Sequence, residues 1–464
     1  MPIRESSYGV WTSNHSFIRV AAGAAMGIGN VARLPYLTGE YGGAAFLLVY
    51  ALALLLIGWP MVVAELSIGR WTRQDPYSAL QALAKESKAR PIWGTIGALA
   101  CLTAVLVLSY FSVVAGWSIA YAMRGASGLF EGLDAAAAQK MFLELARDPE
   151  RSLAWHTIFM VTVAIFAAHG FREGIERTLS YLFAPAVALA LLLLFYGWYF
   201  GDGNAALAYL FDFDWAKLGW RGALEALHQA FFTLGLGAGI MMVYGSYLPA
   251  KAPIGRLAAR IIVIDALFSL AVGTGLYALI FASARDAAPG LSLLFQILPQ
   301  VMPTGIVGAF GAVFVYLVMF IITLSAALAL LEPGVRYMMD RHRITRVFAS
   351  VYLSVMIWFL GVGSLLSFNV TEHLEFFGRN FFDWMQWLTG RLLLPVLGLL
   401  LCIFTGRILP VALLRETWGE QPEWLFKLWR FSLRYPARIA LIVLMFYCLG
   451  VIGFLVDLWA PAVT

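Results

Sequence analysis

Apolar residues fill this chain in blocks of about 20 or more, and polar residues gather between them. Blocks of that length match the hydrocarbon thickness of a bilayer. They predict membrane-spanning helices, not strands. Eleven fall near residues 17–37, 43–68, 92–123, 154–170, 178–200, 222–248, 258–284, 304–334, 346–368, 384–409 and 435–458. Two blocks contain stretches poorly suited to continuous helix. The first holds "AAGAAMGIGNVARLPY" (21–36) and the sixth holds "FFTLGLGAG" (231–239). The two breaks are five spans apart and so enter from opposite sides of the bilayer. This pattern predicts an all-α membrane protein of eleven transmembrane helices with an inverted 5+5 repeat and broken helices 1 and 6. The halves cover about 15–200 and 220–409, an extra helix covers about 435–458, and residues 1–464 form one transmembrane domain. Unwound backbone offers carbonyl oxygens to a cation, while half-helix N-termini offer N–H groups to an anion. Lipid cannot satisfy those groups, so the breaks must line a cavity. Close helix packing is the competing explanation for one glycine-rich stretch, but it is less able to account for two at matched positions.

The composition agrees: of 464 residues, 61% are hydrophobic and only 13% charged, too apolar for a soluble protein. About two thirds of the Lys and Arg fall in alternate loops. Arg70, Arg73, Lys85, Lys88 and Arg90 lie in one; Lys251, Arg256 and Arg260 in another; Arg336, Arg341, Arg343 and Arg346 in a third. Basic loops mark the cytoplasmic side, so the N-terminus is expected inside and the C-terminus outside, in a bacterial inner membrane. The same rule accounts for the net charge of +5 without a nucleic-acid partner. The opening "MPIRESSYGVWTSN" has no cleavage signature. Cys101, Cys402 and Cys448 lie in apolar blocks and predict no disulfide. The six histidines are scattered and are read mostly as loop or interface residues. No nucleophile–base pair, phosphate loop or metal cluster appears, so an enzyme is not expected.

The segments "GIGNVARLPY", "GGAAFLLVYALALLLIGWPMVVAELSIGR" and "QAFFTLGLGAG…YGSYL" resemble the neurotransmitter:sodium symporters, whose structural archetype is the bacterial leucine transporter. The likeness runs from Trp11 to the last span. It implies a first sodium site at the Ala25 carbonyl, Asn30, Thr233 and Asp265, all oxygen donors suited to a hard cation. An ionisable residue at membrane depth, such as Asp265, is functional by default. Tyr50, Gln229, Thr233 and Ser269 match the chloride-site pattern of chloride-dependent relatives. Asp265 supplies the negative charge here, so chloride is not expected. A second sodium site would use the carbonyls of Gly23 and Met26 and the Ser325 hydroxyl, but Ala326 replaces a further hydroxyl ligand. Arg19 lies four residues before Gly23. It either replaces that sodium with its guanidinium or snorkels to the bilayer edge.

By the same resemblance the substrate pocket is lined by Ala24, Ala25, Ile28 and Gly29; Val107 and Phe111; Phe232, Thr233, Gly235 and Ala238; and Ala326 and Leu330. Phe111 stands where amino-acid carriers of the family have a carboxylate-binding tyrosine, and Tyr110 is one residue out of register. Gly27 stands where monoamine carriers have an aspartate. Arg33 matches the outer-gate arginine, with Gln386 at its partner position and Asp383 one turn earlier. Trp11, Tyr247 and Asp340 match the cytoplasmic gate, with Arg4 nearby. Glu65 is read as a buried brace between helices. The expected function is sodium-coupled import of a small, hydrophobic amino acid by alternating access. The alternatives are an osmolyte or amine cargo, altered ion coupling, and a non-transporting sensor. The oligomeric state is left open.

Overall fold

Three glycines set the course of the sixth span. Gly235, Gly237 and Gly239 have φ of 59°, 85° and 77°, in the left-handed region that side chains disfavour by about 1–2 kcal/mol. They separate the Trp215–Phe232 helix from Ile240–Ser246. The first span breaks differently. Met26 and Gly27 are extended, and the Asn30 Oδ1 accepts the Gly27 N–H at 3.0 Å. Asn30 thus caps the helix that restarts at Ile28, and the span runs as Asn14–Ala25, Ile28–Ala32 and Leu34–Glu40. The sixth-span break is tied to the second span, where the wholly buried Glu65 accepts the Gly237 N–H at 2.8 Å.

The computed structural model describes residues 8–283, 285, 287–418 and 421–454. Among them, nine helices are long and apolar enough to cross a membrane: Ala44–Thr72, Trp93–Ala126, Pro149–Ala168, Phe171–Phe200, Ile254–Ala282, Gly305–His342, Arg346–Leu366, Phe381–Ile408 and Glu423–Cys448. The expected first and sixth spans are absent from this set because they are broken. The last helix begins at Glu423, twelve residues before the expected start, because a charged amphipathic segment joins it. Tyr435, held out of helical geometry before Pro436, divides the two parts. The far end of that expected span, and the chain terminus, lie outside the described residues.

Trp93–Ala126 and Gly305–His342 pack along one another and form the scaffold of the bundle. Trp117, Tyr121, Phe295 and Tyr316 lock one end, with ring centroids 4.9–6.0 Å apart. Their polar tips are satisfied: Tyr121 donates to the Phe295 carbonyl and Tyr316 to the Leu294 carbonyl. Exposed apolar residues form stripes at helical spacing, such as Leu48, Leu52 and Leu55, or Val351, Val355 and Phe359. These are faces that acyl chains cover. The three cysteines are buried and unpaired.

Gly237→Ala is expected to lower the unfolding temperature. Its Cβ would sit at positive φ, 2.9 Å from the Leu394 carbonyl oxygen. Thermal unfolding in detergent, compared with Gly27→Ala, measures the difference, since a Cβ at Gly27 meets nothing within 4 Å.

Candidate functional site between the two breaks

Three separate segments converge on one carboxylate. Asn30 Nδ2 donates to Asp265 Oδ1 at 2.6 Å and to Ser269 Oγ at 2.7 Å. Thr233, at the end of Trp215–Phe232, donates its hydroxyl to Asp265 Oδ2 at 2.8 Å. Asp265 and Ser269 lie one turn apart on Ile254–Ala282, and all four residues are buried. Among the described residues no basic side chain pairs with Asp265. A lone carboxylate in a dry interior is costly, and a hard cation among these oxygens compensates it. The buried Tyr50 hydroxyl adjoins this group, beside Thr233 and Asp265.

Beside this cluster lies open space. Side chains added at Gly27 or Gly29 would meet nothing within 4 Å. Ala24, Gly27, Ile28 and Gly29 are half-buried, as are Val107, Phe111, Phe232 and Gly235 from facing elements. Ala25, Ala238, Ala326 and Leu330 are buried behind them. Phe111 brings no hydroxyl. The Tyr110 hydroxyl lies 3.3 Å from Thr389 Oγ1 on the tenth span. Ser325 stands next to Gly23, close enough for a Cβ there to contact its hydroxyl at 3.7 Å.

Arg19 is exposed, whereas Gly23 and Ser325 are buried, which favours the second of its two expected roles. A long cationic stem reaching out of the bilayer core explains the placement.

The outer gate also differs from expectation. Among the described residues Arg33 bonds neither Gln386 nor Asp383. Its Nη2 lies 2.7 Å from Glu225 Oε2 and 2.7 Å from His228 Nδ1. The His228 ring lies over Phe232 at 4.6 Å. Glu225, His228 and Phe232 are spaced i, i+3, i+7, so one helix face delivers acid, base and ring. That stripe was the signal in the sequence. His228 is 9% exposed and is one of the interface histidines expected, packed between Arg33 and Phe232. Glu225 is held from behind by the Tyr447 hydroxyl of the last span. Tyr447→Phe is expected to loosen the Arg33–Glu225 pair and weaken substrate affinity, up to about tenfold, since hydrogen bonds to charged groups contribute roughly 1.5–3 kcal/mol. Equilibrium binding of labelled substrate checks this.

At the opposite end, Trp11, Tyr247 and Asp340 do share one layer. Trp11 donates its indole N–H to the Tyr244 carbonyl at 2.9 Å and its backbone N–H to the Tyr247 carbonyl at 3.0 Å. Phe171 stacks on Tyr247 at 3.8 Å. Tyr247 donates to Glu332 at 2.9 Å, and both Glu332 oxygens accept from Arg346. Arg336 bonds Asp340 at 3.2 Å and lies over the Tyr8 ring at 4.1 Å. Asp340 also accepts the Asp75 N–H at 2.8 Å. Sequence reasoning missed Glu332, Arg336 and Arg346 as gate members, although Glu332, Arg336 and Asp340 follow an i, i+4, i+8 spacing. Arg4 lies outside the described residues. Trp11 and Tyr247 are buried within this layer.

The family model described as the sodium:neurotransmitter symporter family matches residues 8–129 and 140–449. The chain is 31% identical over 454 residues to an uncharacterized sodium-dependent transporter, YhdH of Bacillus subtilis (strain 168), covering 96% of this chain and 98% of that protein. It is 36% identical over 111 residues, 24% of this chain and 14% of the relative, to the sodium-dependent neutral amino acid transporter B(0)AT2 of Bos taurus. Among solved structures, MhsT in complex with L-phenylalanine superposes with a TM-score of 0.85 at 32% identity, covering 95% of this chain and 100% of that one.

Proposed function

Because the chain belongs to the sodium:neurotransmitter symporter family, we propose that it imports a hydrophobic amino acid together with sodium by alternating access. The observation that carries this reading is the union of an unpaired buried carboxylate and open glycine faces. Asp265, Asn30 and Thr233 supply oxygens to sodium next to the space beside Gly27 and Gly29. The substrate carboxylate meets the free N–H groups of the restarted first span and the bound sodium. Its side chain enters the apolar space bounded by Val107, Phe111, Phe232 and Leu330. No acidic side chain stands at Gly27 to hold a free amine. The phenylalanine bound to MhsT supports an apolar cargo.

Ala25 and Thr233 adjoin both ligands, so each ligand raises the affinity for the other. Spans one, two, six and seven form the moving bundle, swinging against the scaffold of spans three and eight. Asp265 makes transport independent of chloride. Sodium at Gly23, Met26 and Ser325 is a weaker second site, since Ala326 contributes no oxygen. The basic loops face the cytoplasm, which puts the Trp11 layer inside and Arg33 outside in a bacterial inner membrane.

Counterflow in proteoliposomes with labelled phenylalanine, leucine, valine and alanine tests the proposal. Sodium-dependent exchange of at least one of these, unchanged when gluconate replaces chloride, is expected. A Hill slope for sodium near one is expected if the second site is silent. Exchange that proceeds equally well without sodium, or no exchange of any of them, overturns it.

A further inference from the structure

The Glu423–Arg434 helix presents three faces. Phe426, Trp429 and Leu433 are buried against the bundle. Trp429 donates to the Pro60 carbonyl at 2.9 Å and Ser432 to the Leu56 carbonyl at 3.1 Å. Pro60 has no N–H for Leu56, so this helix caps the carbonyl that the proline releases in the second span. A second face carries Trp424, Leu428 and Phe431, with Tyr435 following, each at least 50% exposed. The third carries Lys427, Arg430 and Arg434. Residues 424–438 include no acid. Arg415 and Arg434 both act on Arg430 as like charges. Among the described residues the only ion pair here is Arg415 with Glu423, at 2.6 Å. Arg434 places its Nε on the Gly406 carbonyl. The Arg430 Nε is buried without a hydrogen-bond partner.

We infer that this helix lies in the bilayer surface and that Lys427, Arg430 and Arg434 bind the phosphate of an anionic phospholipid headgroup. The inference rests on the membrane-spanning reading and is independent of the cargo. The exposed ring-bearing face enters the acyl boundary, where Trp and Tyr are favoured. The neighbouring cations then lie at headgroup depth. A phosphate there relieves their mutual repulsion and takes the unused Arg430 donor. An acidic protein would meet the charges but leave the apolar face bare, whereas a lipid covers both. Through Leu56 and Pro60 the occupied site touches the second span, part of the moving bundle.

The test uses the full chain in phosphatidylcholine vesicles doped with dibrominated phosphatidylglycerol or dibrominated phosphatidylcholine. Quenching at Trp424 is read as the difference between the wild type and Trp424→Phe. Severalfold stronger quenching by the phosphatidylglycerol is expected. Each cation contributes roughly fivefold, so Arg430→Gln reduces the preference about fivefold and K427Q/R430Q/R434Q abolishes it. The triple variant should retain sodium-dependent uptake, which establishes that it is folded. Equal quenching by the two lipids in the wild type overturns the inference. So does a preference that survives the triple substitution, and so does displacement by inorganic phosphate, which would make the occupant a free ion. Labelling of Lys427→Cys from the outer side would overturn the orientation proposed above and leave the lipid preference standing.

Discussion

Asp265→Asn raises the sodium concentration needed for half-maximal uptake by about 10- to 100-fold, the equivalent of a charge-assisted interaction of roughly 1.5–3 kcal/mol. The amide keeps the size of the side chain and one oxygen, so the Thr233 hydroxyl retains an acceptor. What is lost is the only formal negative charge in the cluster. A second consequence separates this role from simple bracing. With the carboxylate gone, an anion is needed beside the sodium, and Tyr50, Gln229, Thr233 and Ser269, which match the chloride-site pattern, are the residues expected to hold it. Uptake by the variant should therefore become sensitive to chloride while the wild type is not. Sodium titration of uptake in chloride and in gluconate measures both effects. Unaltered sodium dependence in Asp265→Asn would remove the cation from this cluster.

Glu332→Ala should have the larger effect on the resting conformation. Glu332 is 1% exposed and accepts from Nη1 and Nη2 of Arg346 and from the Tyr247 hydroxyl. Removing one member of a buried pair strands the other, at about 3–5 kcal/mol. Arg346 keeps its Nε bond to the Ala167 carbonyl but loses its countercharge, and Arg336, lying over the Tyr247 ring at 5.2 Å, loses a nearby one. The layer made by Trp11, Phe171 and Tyr247 then opens. The readout is maleimide labelling of Ser246→Cys from the cytoplasmic side, slow in the parent because Ser246 is buried, and at least about tenfold faster in Glu332→Ala. Glu332→Gln, which keeps acceptor and shape, should fall between the two. A parent-like labelling rate in Glu332→Ala would mean that the pair does not hold the layer shut.

Much of the architecture was legible because membrane helices are written in composition. The long apolar blocks and the two glycine-rich interruptions carry the fold, and the breaks occur where the glycines sit. An acid at membrane depth marked Asp265 by itself, whereas its grouping with Asn30 and Thr233 came from the family resemblance and from no local pattern. The gates were harder to read. Arg33 was expected to reach the tenth span, but Glu225 lies on the sixth, two turns before Phe232, and is closer. Which of several acids an arginine meets depends on helix rotation, and periodicity leaves that rotation loose. Arg19 illustrates the converse. Its spacing to Gly23 is right for a shared face, yet Arg19 is exposed in the middle of Asn14–Ala25, because a long flexible stem follows solvent more readily than spacing. Glu332 was passed over because it stood in an apolar run beside Pro333 and no local pattern marked its distant partners.

The bond from Tyr447 to Glu225 has a bearing on biogenesis. Arg33 and Glu225 are both made well before Tyr447, which enters the bilayer with the closing segment of the chain. Until that segment is inserted, the outer latch lacks its support. A nascent chain that has not yet inserted the Glu423–Cys448 helix would thus bear the Asp265 cluster without the brace on Glu225.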